Sequence, residues 1–175
     1  MKPFSDNIIF VDTEFSSLDP YKGEILSIGL VKLGGEELYL ELAPVGEVDE
    51  WVKKHVLPLL SLEKVSREEA VKKVGAFAGS GKPYMVSYVN QFDAMYWYKL
   101  LGGVKGNPFH WIPIDFASML FAEGIDPQAY NWRRKESFFP KLGIDHGRYS
   151  ENHALDDARM LREVYLALLK RGTIA

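Results

Sequence analysis

Short apolar runs alternate with amphipathic segments along most of this chain. The run from Ile8 to Val11 is unbroken and rich in β-branched residues, which is typical of a strand buried on both faces. Gly34-Gly35 separates two further stretches of strand character and predicts a hairpin turn between them. The predicted strands are 8–11, 24–33, 36–42, 83–89 and 111–115.

Helices are predicted between and after these strands. Ser66 and Glu69 have the spacing of a capping box, which indicates a helix that begins there and ends near Gly79. The predicted helices are 49–60, 66–79, 91–101, 116–123, 136–142 and 153–171. Alternating strands and helices of this kind predict an α/β fold with a mixed sheet. The length of 175 residues fits one domain that spans 1–175.

The last predicted helix carries an acid within its apolar stripe. At about 3.6 residues per turn, Asp157 falls on the same face as Leu161 and Leu168. Asp156 falls with Arg159 on the face predicted to be solvated. An acid on an apolar face is costly unless it is paired or bound to a metal. Asp157 is therefore predicted to be a metal ligand, the alternative being a buried partner for an arginine or a backbone amide.

Other acids stand at the ends of predicted strands. Asp12 and Glu14 follow the first apolar run, and because strand side chains alternate, both point to the same side. The two carboxylates repel each other unless a cation neutralises their charge, which favours a metal site. The alternative is a strand that simply ends in a polar turn. Asp93 lies in the first turn of a helix, where acids are ordinary. Asp115, between a strand and a helix, is predicted to be a helix cap.

These acids stand in segments that resemble the three motifs of the DEDD exonuclease superfamily, which includes oligoribonuclease and RNase T. The segments are Asp12-Thr13-Glu14, Asp93 with the five residues before it, and 153–158. Three finer stretches, 12–15, 25–29 and 51–58, are similar to the RNase AS-like 3′–5′ exoribonucleases. The resemblance implies an RNase H-like fold, with a central mixed five-stranded sheet flanked by helices.

The same resemblance implies a catalytic metal centre. Its expected ligands are Asp12, Glu14, Asp93 and Asp157. Oxygen ligands of this kind suit two Mg²⁺ or Mn²⁺ ions, which together promote hydrolysis of a phosphodiester. The absence of cysteine and the scarcity of histidine argue against a zinc site.

One histidine departs from the family pattern. His-type members place the general base five residues before the last aspartate, where this chain has Asn152, and His153 is only four before Asp157. A helical projection nevertheless puts His153 beside Asp157 and turns Asn152 toward solvent. His153 is therefore the predicted base, with His146 as the reserve and a purely structural histidine as the alternative.

The resemblance also implies the substrate, which is single-stranded RNA degraded from its 3′ end, with adenylate preferred. The predicted nucleotide-binding residues are Phe15, Leu18, Tyr96, Trp97 and Arg133. The first four are aromatic or apolar and close in sequence to the acids, so they are predicted to contact a base, and burial in the core is the alternative. Arg133 belongs to the basic run 133–135, which either contacts phosphates or forms a solvated face.

Composition narrows the remaining classes of function. No apolar run is long enough to span a bilayer, so a membrane protein is not expected. The lack of cysteine suits the reducing cytoplasm. The net charge of −3 shows no broad basic face, so any contact with nucleic acid is expected to be local and assisted by metal.

Several alternatives stay open at the level of sequence. One is a module that binds RNA 3′ ends without cleaving them, because its base is displaced. A second is a DNA-directed exonuclease on the same scaffold. A third is a phosphohydrolase with Asp12 as covalent nucleophile, although such enzymes place a second aspartate where Glu14 stands. A homodimer is expected from the resemblance alone.

Overall fold

The computed structural model describes residues 3–131 and 135–172 of the chain. A mixed sheet lies at its centre, and its strands are β1 (Ile8–Phe15), β2 (Ile25–Lys32), β3 (Glu37–Glu41), β4 (Tyr84–Ser87) and β5 (Ile114–Asp115). The strand order is β3-β2-β1-β4-β5. β2 runs antiparallel to both β1 and β3, whereas β4 runs parallel to both β1 and β5. The predicted α/β fold with a mixed five-stranded sheet is confirmed.

Six helices are described: α1 (Glu50–His55), α2 (Arg67–Ala78), α3 (Gln91–Leu101), α4 (Phe116–Ala122), α5 (Lys135–Phe138) and α6 (Ala154–Gly172). Two predicted caps are confirmed, because Ser66 accepts a hydrogen bond from the Glu69 amide and Asp115 from the Ser118 amide. Within 3–131 and 135–172, no helix combines the length and the apolar character needed to cross a membrane.

The predicted core strand at 111–115 is largely wrong. Only Ile114 and Asp115 pair with β4, at the edge of the sheet, and the Trp111 side chain is 76% exposed. Hydrophobic residues in this stretch suggested a buried strand, but the chain reaches the sheet only at its last two positions.

Alternating side chains of β1 separate two layers of core. Ile8 and Phe10 pack in the cluster that contains the buried face of α6. Ile9 and Val11 belong to the opposite cluster, together with residues of α2 and α3. Because the pattern alternates, the side chains that follow Phe10 at every second position also point toward α6. The acids of β1 therefore extend on the α6 side of the sheet.

A glycine permits α6 to approach the sheet closely. A Cβ atom on Gly29 of β2 would lie 2.2 Å from the Ala154 carbonyl oxygen and 2.4 Å from the Leu155 amide nitrogen. No side chain fits in that space, so the first turn of α6 lies directly on the backbone of β2. Gly29 is also the register partner of Asp12 in the β1–β2 pair. The contact thus places the start of α6 beside the acid-bearing part of β1.

We expect Gly29→Ala to lower the free energy of unfolding by about 1–3 kcal/mol, because the added methyl group must push α6 away from β2. Chemical denaturation of both proteins measures the change. Gly75→Ala is the matched control, since a Cβ there meets nothing within 4 Å. That substitution, inside α2, should stabilise the protein by about 0.5–1 kcal/mol. Equal effects of the two substitutions would contradict the close packing of α6.

Candidate metal centre

Three carboxylates converge between β1 and α6. Asp12 and Glu14 project from the same face of β1, and Asp157 lies in the first turn of α6. One carboxylate oxygen from each of these residues lies within 4.8 Å of those from the other two. All three residues are partly exposed, so an ion can reach the cluster from solvent. The structure thus brings together acids that are more than 140 positions apart in the chain.

Asp93 reaches the same region from another direction. It lies in the first turn of α3, is 4% exposed, and accepts a hydrogen bond of 2.7 Å from the Thr13 hydroxyl. β1 pairs with β4 only as far as Phe10, so the acid-bearing end of β1 has no strand neighbour on that side. The start of α3 occupies this position, beyond the carboxyl end of β4, where ligands commonly bind in open α/β sheets.

Burial and mutual repulsion raise the pKa values of Asp12, Glu14 and Asp93 above their ordinary values. Burial is the largest cause that raises the pKa of Glu14 to about 8, and the charges of Asp157 and Asp93 add to it. Burial likewise raises the pKa of Asp93 to about 7, against the hydrogen bond from Thr13, which lowers it. Burial and the three neighbouring acids raise the pKa of Asp12 well above its usual range. A cation would relieve this repulsion.

The chemistry of the donor set fits a hard divalent cation. Among the described residues, the cluster consists of carboxylates alone, with no histidine or cysteine. Mg²⁺ and Mn²⁺ prefer oxygen ligands of this kind and compensate a concentration of negative charge. Within 3–131 and 135–172, no arginine or lysine lines the cavity around these acids. Asp12, Glu14 and Asp157 would hold the metal, and Asp93 lies close enough to raise the pKa values of Asp12 and Glu14.

The acids line an open cavity of about 270 Å³. Besides the three carboxylates, its walls contain polar and aromatic side chains: Tyr88, Tyr130, Asn131, Glu151 and Asn152. Such a cavity has room for ions, water and a phosphate group.

The structure places His153 differently from its prediction. Its ring packs against Tyr39 with centroids 4.6 Å apart, and its Nδ1 accepts a hydrogen bond of 3.4 Å from the Asp156 amide. It does not line the acid cavity, whereas Asn152 does. The prediction that Asn152 turns toward solvent is therefore wrong. Helical projection failed here because α6 begins only at Ala154 and Asn152 has a left-handed backbone with φ of 61°.

Asp156 is also less exposed than predicted. Its side chain is 15% exposed and forms an ion pair of 2.8 Å with Arg159. It also accepts a hydrogen bond from the Ser150 amide, so the segment before α6 folds back over the start of this helix.

The predicted nucleotide contacts separate into three groups. Tyr96 and Trp97 are 1% and 2% exposed, which contradicts their prediction as substrate contacts, because α3 turns both rings into the core. Phe15 stacks on Tyr96 with centroids 4.1 Å apart and keeps one part of its side chain at the surface. Leu18 is 66% exposed on the loop after β1 and is free to contact a ligand. Arg133 lies outside the described residues.

Sequence reasoning missed two contributors to the site. Thr13 donates a hydrogen bond from its hydroxyl to Asp93. Its position between Asp12 and Glu14 was a usable signal, because alternation along a strand points its side chain to the face opposite to theirs. Asn152 lines the cavity because of a left-handed turn, for which asparagine is one of the few suitable residues and hence a usable signal.

Comparison with known proteins supports the fold of this chain. A structure of exonuclease I covers 94% of the chain with a TM-score of 0.70 and 15% identity. The nuclease domain of 3′hExo, a DEDDh family member bound to rAMP, covers 94% of the chain with a TM-score of 0.68 and 14% identity. The chain has the fold of these nucleases.

The extent of each match differs. The chain spans only 40% of exonuclease I, including the zinc-bound complex of the E. coli protein with single-stranded DNA, which matches with a TM-score of 0.69 at 14% identity. In contrast, it spans 92% of the 3′hExo nuclease domain. No protein-family model matches the sequence, and no curated protein does.

The metal-free protein should lose stability as the pH rises. The folded pKa values of Glu14 and Asp93, about 8 and about 7, exceed their ordinary values of 4.5 and 3.8. Between these limits the folded state binds protons that the unfolded state has released. The resulting stabilisation is complete below the ordinary values and is lost as the pH rises through the folded ones. We expect Tm to fall by about 5 °C or more between about pH 5 and about pH 9.

Differential scanning fluorimetry in EDTA and in saturating Mg²⁺ or Mn²⁺ tests this expectation. The cation should remove most of the loss at high pH, since it binds the ionised carboxylates. The control, Asp157→Asn, should flatten the pH dependence without metal and abolish the effect of metal. An identical Tm with and without cation at high pH would contradict a metal centre at this site.

Proposed function

We propose that this protein is a metal-dependent 3′–5′ exoribonuclease of the DEDD superfamily, similar to the RNase AS-like enzymes. The convergence of Asp12, Glu14 and Asp157 in one open cavity carries the proposal. Asp93, in the first turn of α3, adds the fourth acid of the DEDD motifs and accepts a hydrogen bond from Thr13, which lies between Asp12 and Glu14. The shared fold of exonuclease I and of the 3′hExo nuclease domain supports it independently of these side chains.

The acids of this chain bind and orient the reacting groups. Asp12, Glu14, Asp93 and Asp157 would hold two Mg²⁺ or Mn²⁺ ions. When bound, such ions activate water and neutralise charge on the scissile phosphate and the leaving 3′ oxygen. Thr13 fixes the carboxylate of Asp93 through its hydroxyl.

His153 remains the proposed general base. The proposal requires its ring to leave Tyr39 and turn into the cavity beside Asn152. The His153 carbonyl accepts a hydrogen bond of 3.0 Å from the Asp157 amide, so the backbone stays in place and the side chain, which is 22% exposed, has to rotate. Asn152 cannot accept a proton from water, but its amide can hydrogen-bond a water molecule or a phosphate oxygen in the cavity. The two residues thus have different roles that mutation can separate.

RNA is the proposed substrate, with adenylate preferred at the 3′ end. The resemblance of the motifs and the rAMP bound by the 3′hExo domain support this choice. Leu18 and the exposed part of Phe15 are the proposed contacts of the terminal base, and Arg133 is the proposed contact of a phosphate. A DNA substrate is the second candidate, because exonuclease I of the same fold was solved with single-stranded DNA. Only contacts to the 2′-hydroxyl distinguish these substrates.

A homodimer and a cytoplasmic location stay predictions. Light scattering of the purified protein would test the dimer, and fractionation of cells would test the location. Neither is needed for the chemistry proposed at the acid cluster.

We expect the protein to shorten 3′-unlabelled, 5′-labelled single-stranded RNA one nucleotide at a time in Mg²⁺ or Mn²⁺, and to act more slowly on matched DNA. Gel resolution of products over time measures both rates. Asp157→Asn should lower the rate on the order of 10³-fold or more, because a metal ligand is lost. Binding of RNA without any shortening would contradict the nuclease and indicate a module that only binds RNA. Faster cleavage of DNA than of RNA would favour the DNA-directed exonuclease.

We expect His153→Ala to lower the single-turnover rate about 100-fold or more, the usual contribution of a general base. Asn152→Ala should have a smaller effect, since this side chain only donates and accepts hydrogen bonds. His146→Ala tests the reserve base and should leave the rate unchanged if His153 is the base. A near-normal rate in His153→Ala would remove this residue from the mechanism.

A further inference from the structure

Three side chains form a row across β1, β2 and β3, two residues before the tight contact at Gly29. Ser27 of β2 is the register partner of Glu14 in β1 and of Glu41 in β3. Directly opposed residues of antiparallel strands point to the same face of a sheet, with Cβ atoms about 4.5–5.5 Å apart. This is the face toward α6, because Glu14 lies there with the other acids of the metal centre. Ser27 is therefore the direct neighbour of a proposed metal ligand.

The hydroxyl of Ser27 is buried and does not take part in a hydrogen bond. Ser27 is 0% exposed, and in the part of the chain that the structure describes, its Oγ has no partner in hydrogen-bond geometry. A buried polar group without a partner lowers stability, so in a native protein it calls for an explanation such as a role in a site. The acceptors near this hydroxyl are the two glutamates of the row and the oxygen of Tyr39.

Glu41 does not need the hydrogen of Ser27. It is 1% exposed, and its carboxylate accepts hydrogen bonds from the amides of Ser61 and Leu62, at 3.0 and 2.9 Å, and from the Lys64 ammonium. Burial acts to raise the pKa of Glu41, but Lys64 and the two amides outweigh burial and bring the pKa below its ordinary value. An ionised carboxylate has about four acceptor positions, so these donors leave little capacity at Glu41.

The Tyr39 hydroxyl occupies the remaining capacity of Glu41. Burial is the largest cause that raises the pKa of Tyr39, and the charge of Glu41 adds to it, as does the charge of Glu14 more weakly. Tyr39 in turn lowers the pKa of Glu41, as expected for a hydroxyl that donates to this carboxylate. At Glu14, by contrast, burial and the charges of Asp157 and Asp93 raise the pKa, and no hydrogen bond from the described residues opposes them. Of the two glutamates beside Ser27, Glu14 is therefore the one that lacks donors.

We propose that Ser27 is a positioning residue of the metal centre, whose hydroxyl donates to the Glu14 carboxylate and orients it toward the bound cation. The inference rests on the metal centre of the proposed function. The Tyr39 oxygen, the other acceptor near Ser27, is neutral. A hydrogen bond to an ionised carboxylate is about twice as strong as one between neutral groups, so the hydroxyl turns to Glu14 when a cation is bound. Hydrogen-bond partners that lie behind metal ligands in this way set the affinity for the metal.

Isothermal titration calorimetry with Mn²⁺, in the absence of RNA, tests the role of Ser27. Ser27→Ala should raise the Mn²⁺ dissociation constant on the order of 10-fold or more, the usual effect of removing a hydrogen-bond partner of a metal ligand. Its Tm in EDTA should not fall, because the hydroxyl makes no hydrogen bond in the metal-free protein. An unchanged dissociation constant would overturn the positioning role.

Ser87→Ala is the matched control. Ser87 of β4 is also 0% exposed, and its hydroxyl likewise has no hydrogen-bond partner among the described residues. Strand alternation points this side chain away from α6, because its neighbour Val86 packs in the cluster that contains α6. Ser87→Ala should therefore leave the Mn²⁺ dissociation constant unchanged. An equal loss of affinity in Ser87→Ala and Ser27→Ala would contradict a specific role of Ser27.

Ser27→Thr separates the hydroxyl from the shape of the side chain. It keeps the donor and adds a methyl group at a position without exposed surface, so its Tm in EDTA should fall. Its Mn²⁺ dissociation constant, measured at a temperature where the variant is folded, should stay close to that of the wild type. A loss of affinity as large as that of Ser27→Ala would rule out the hydroxyl as the cause. If Ser27→Thr does not fold, the comparison of Ser27→Ala with Ser87→Ala decides.

The outcome is separable from that of the proposed function. If the wild-type protein binds Mn²⁺ but cleaves no RNA, the nuclease proposal fails, and the affinity of Ser27→Ala still decides the role of Ser27. If RNA is cleaved and Ser27→Ala binds Mn²⁺ as tightly as the wild type, the nuclease proposal stands and the role of Ser27 is overturned. A wild-type protein that binds no divalent cation would overturn both.

Discussion

Repulsion between carboxylates that are packed side by side governs the organisation of this molecule. Burial and neighbouring charges raise the pKa values of Asp12, Glu14 and Asp93, so the folded chain without metal contains an unfavourable cluster. The rest of the fold has to hold these groups together against that repulsion. Ionised carboxylates lower the stability of the folded protein when no cation is bound. A cation relieves this repulsion, so its binding is favoured and stabilises the folded state.

Packing around β1 supplies the opposing force. On one face of the sheet, α6 lies on the bare backbone at Gly29 and brings Asp157 to the acids of β1. On the other, Thr13 holds Asp93 at the start of α3, and the same helix fixes the loop after β1 through Lys99. The ligands and the loop that carries Leu18, a proposed base contact, are thus tied to shared elements. A displacement of either helix would alter metal binding and substrate contact together.

The segment before α6 is the part of the site whose function depends most on conformation. Asn152 occupies the cavity, while His153 packs on Tyr39 and accepts a hydrogen bond from Asp156. Cleavage with His153 as base requires this arrangement to change, whereas simple binding of a nucleic acid 3′ end does not. Cleavage and simple binding therefore differ in one local rearrangement, the movement of the His153 ring, which lies before the regular part of α6.

Much of the architecture follows from local sequence. The apolar run at Ile8, the hairpin at Gly34-Gly35 and the cap at Ser66 each depend on neighbouring residues, and all three are found in the structure. Periodicity likewise placed Asp157 on the packed face of α6, because 3.6-residue spacing holds inside a helix.

Features that depend on distant contacts or on irregular backbone were decided only by the tertiary structure. The burial of Tyr96 and Trp97 and the edge position of β5 arise from packing between separate elements. Asn152 rather than His153 lines the cavity because Asn152 has a left-handed backbone and precedes α6, where helical periodicity does not apply. Sequence thus determined which residues carry charge and which elements carry them, and long-range packing decided which side chains meet.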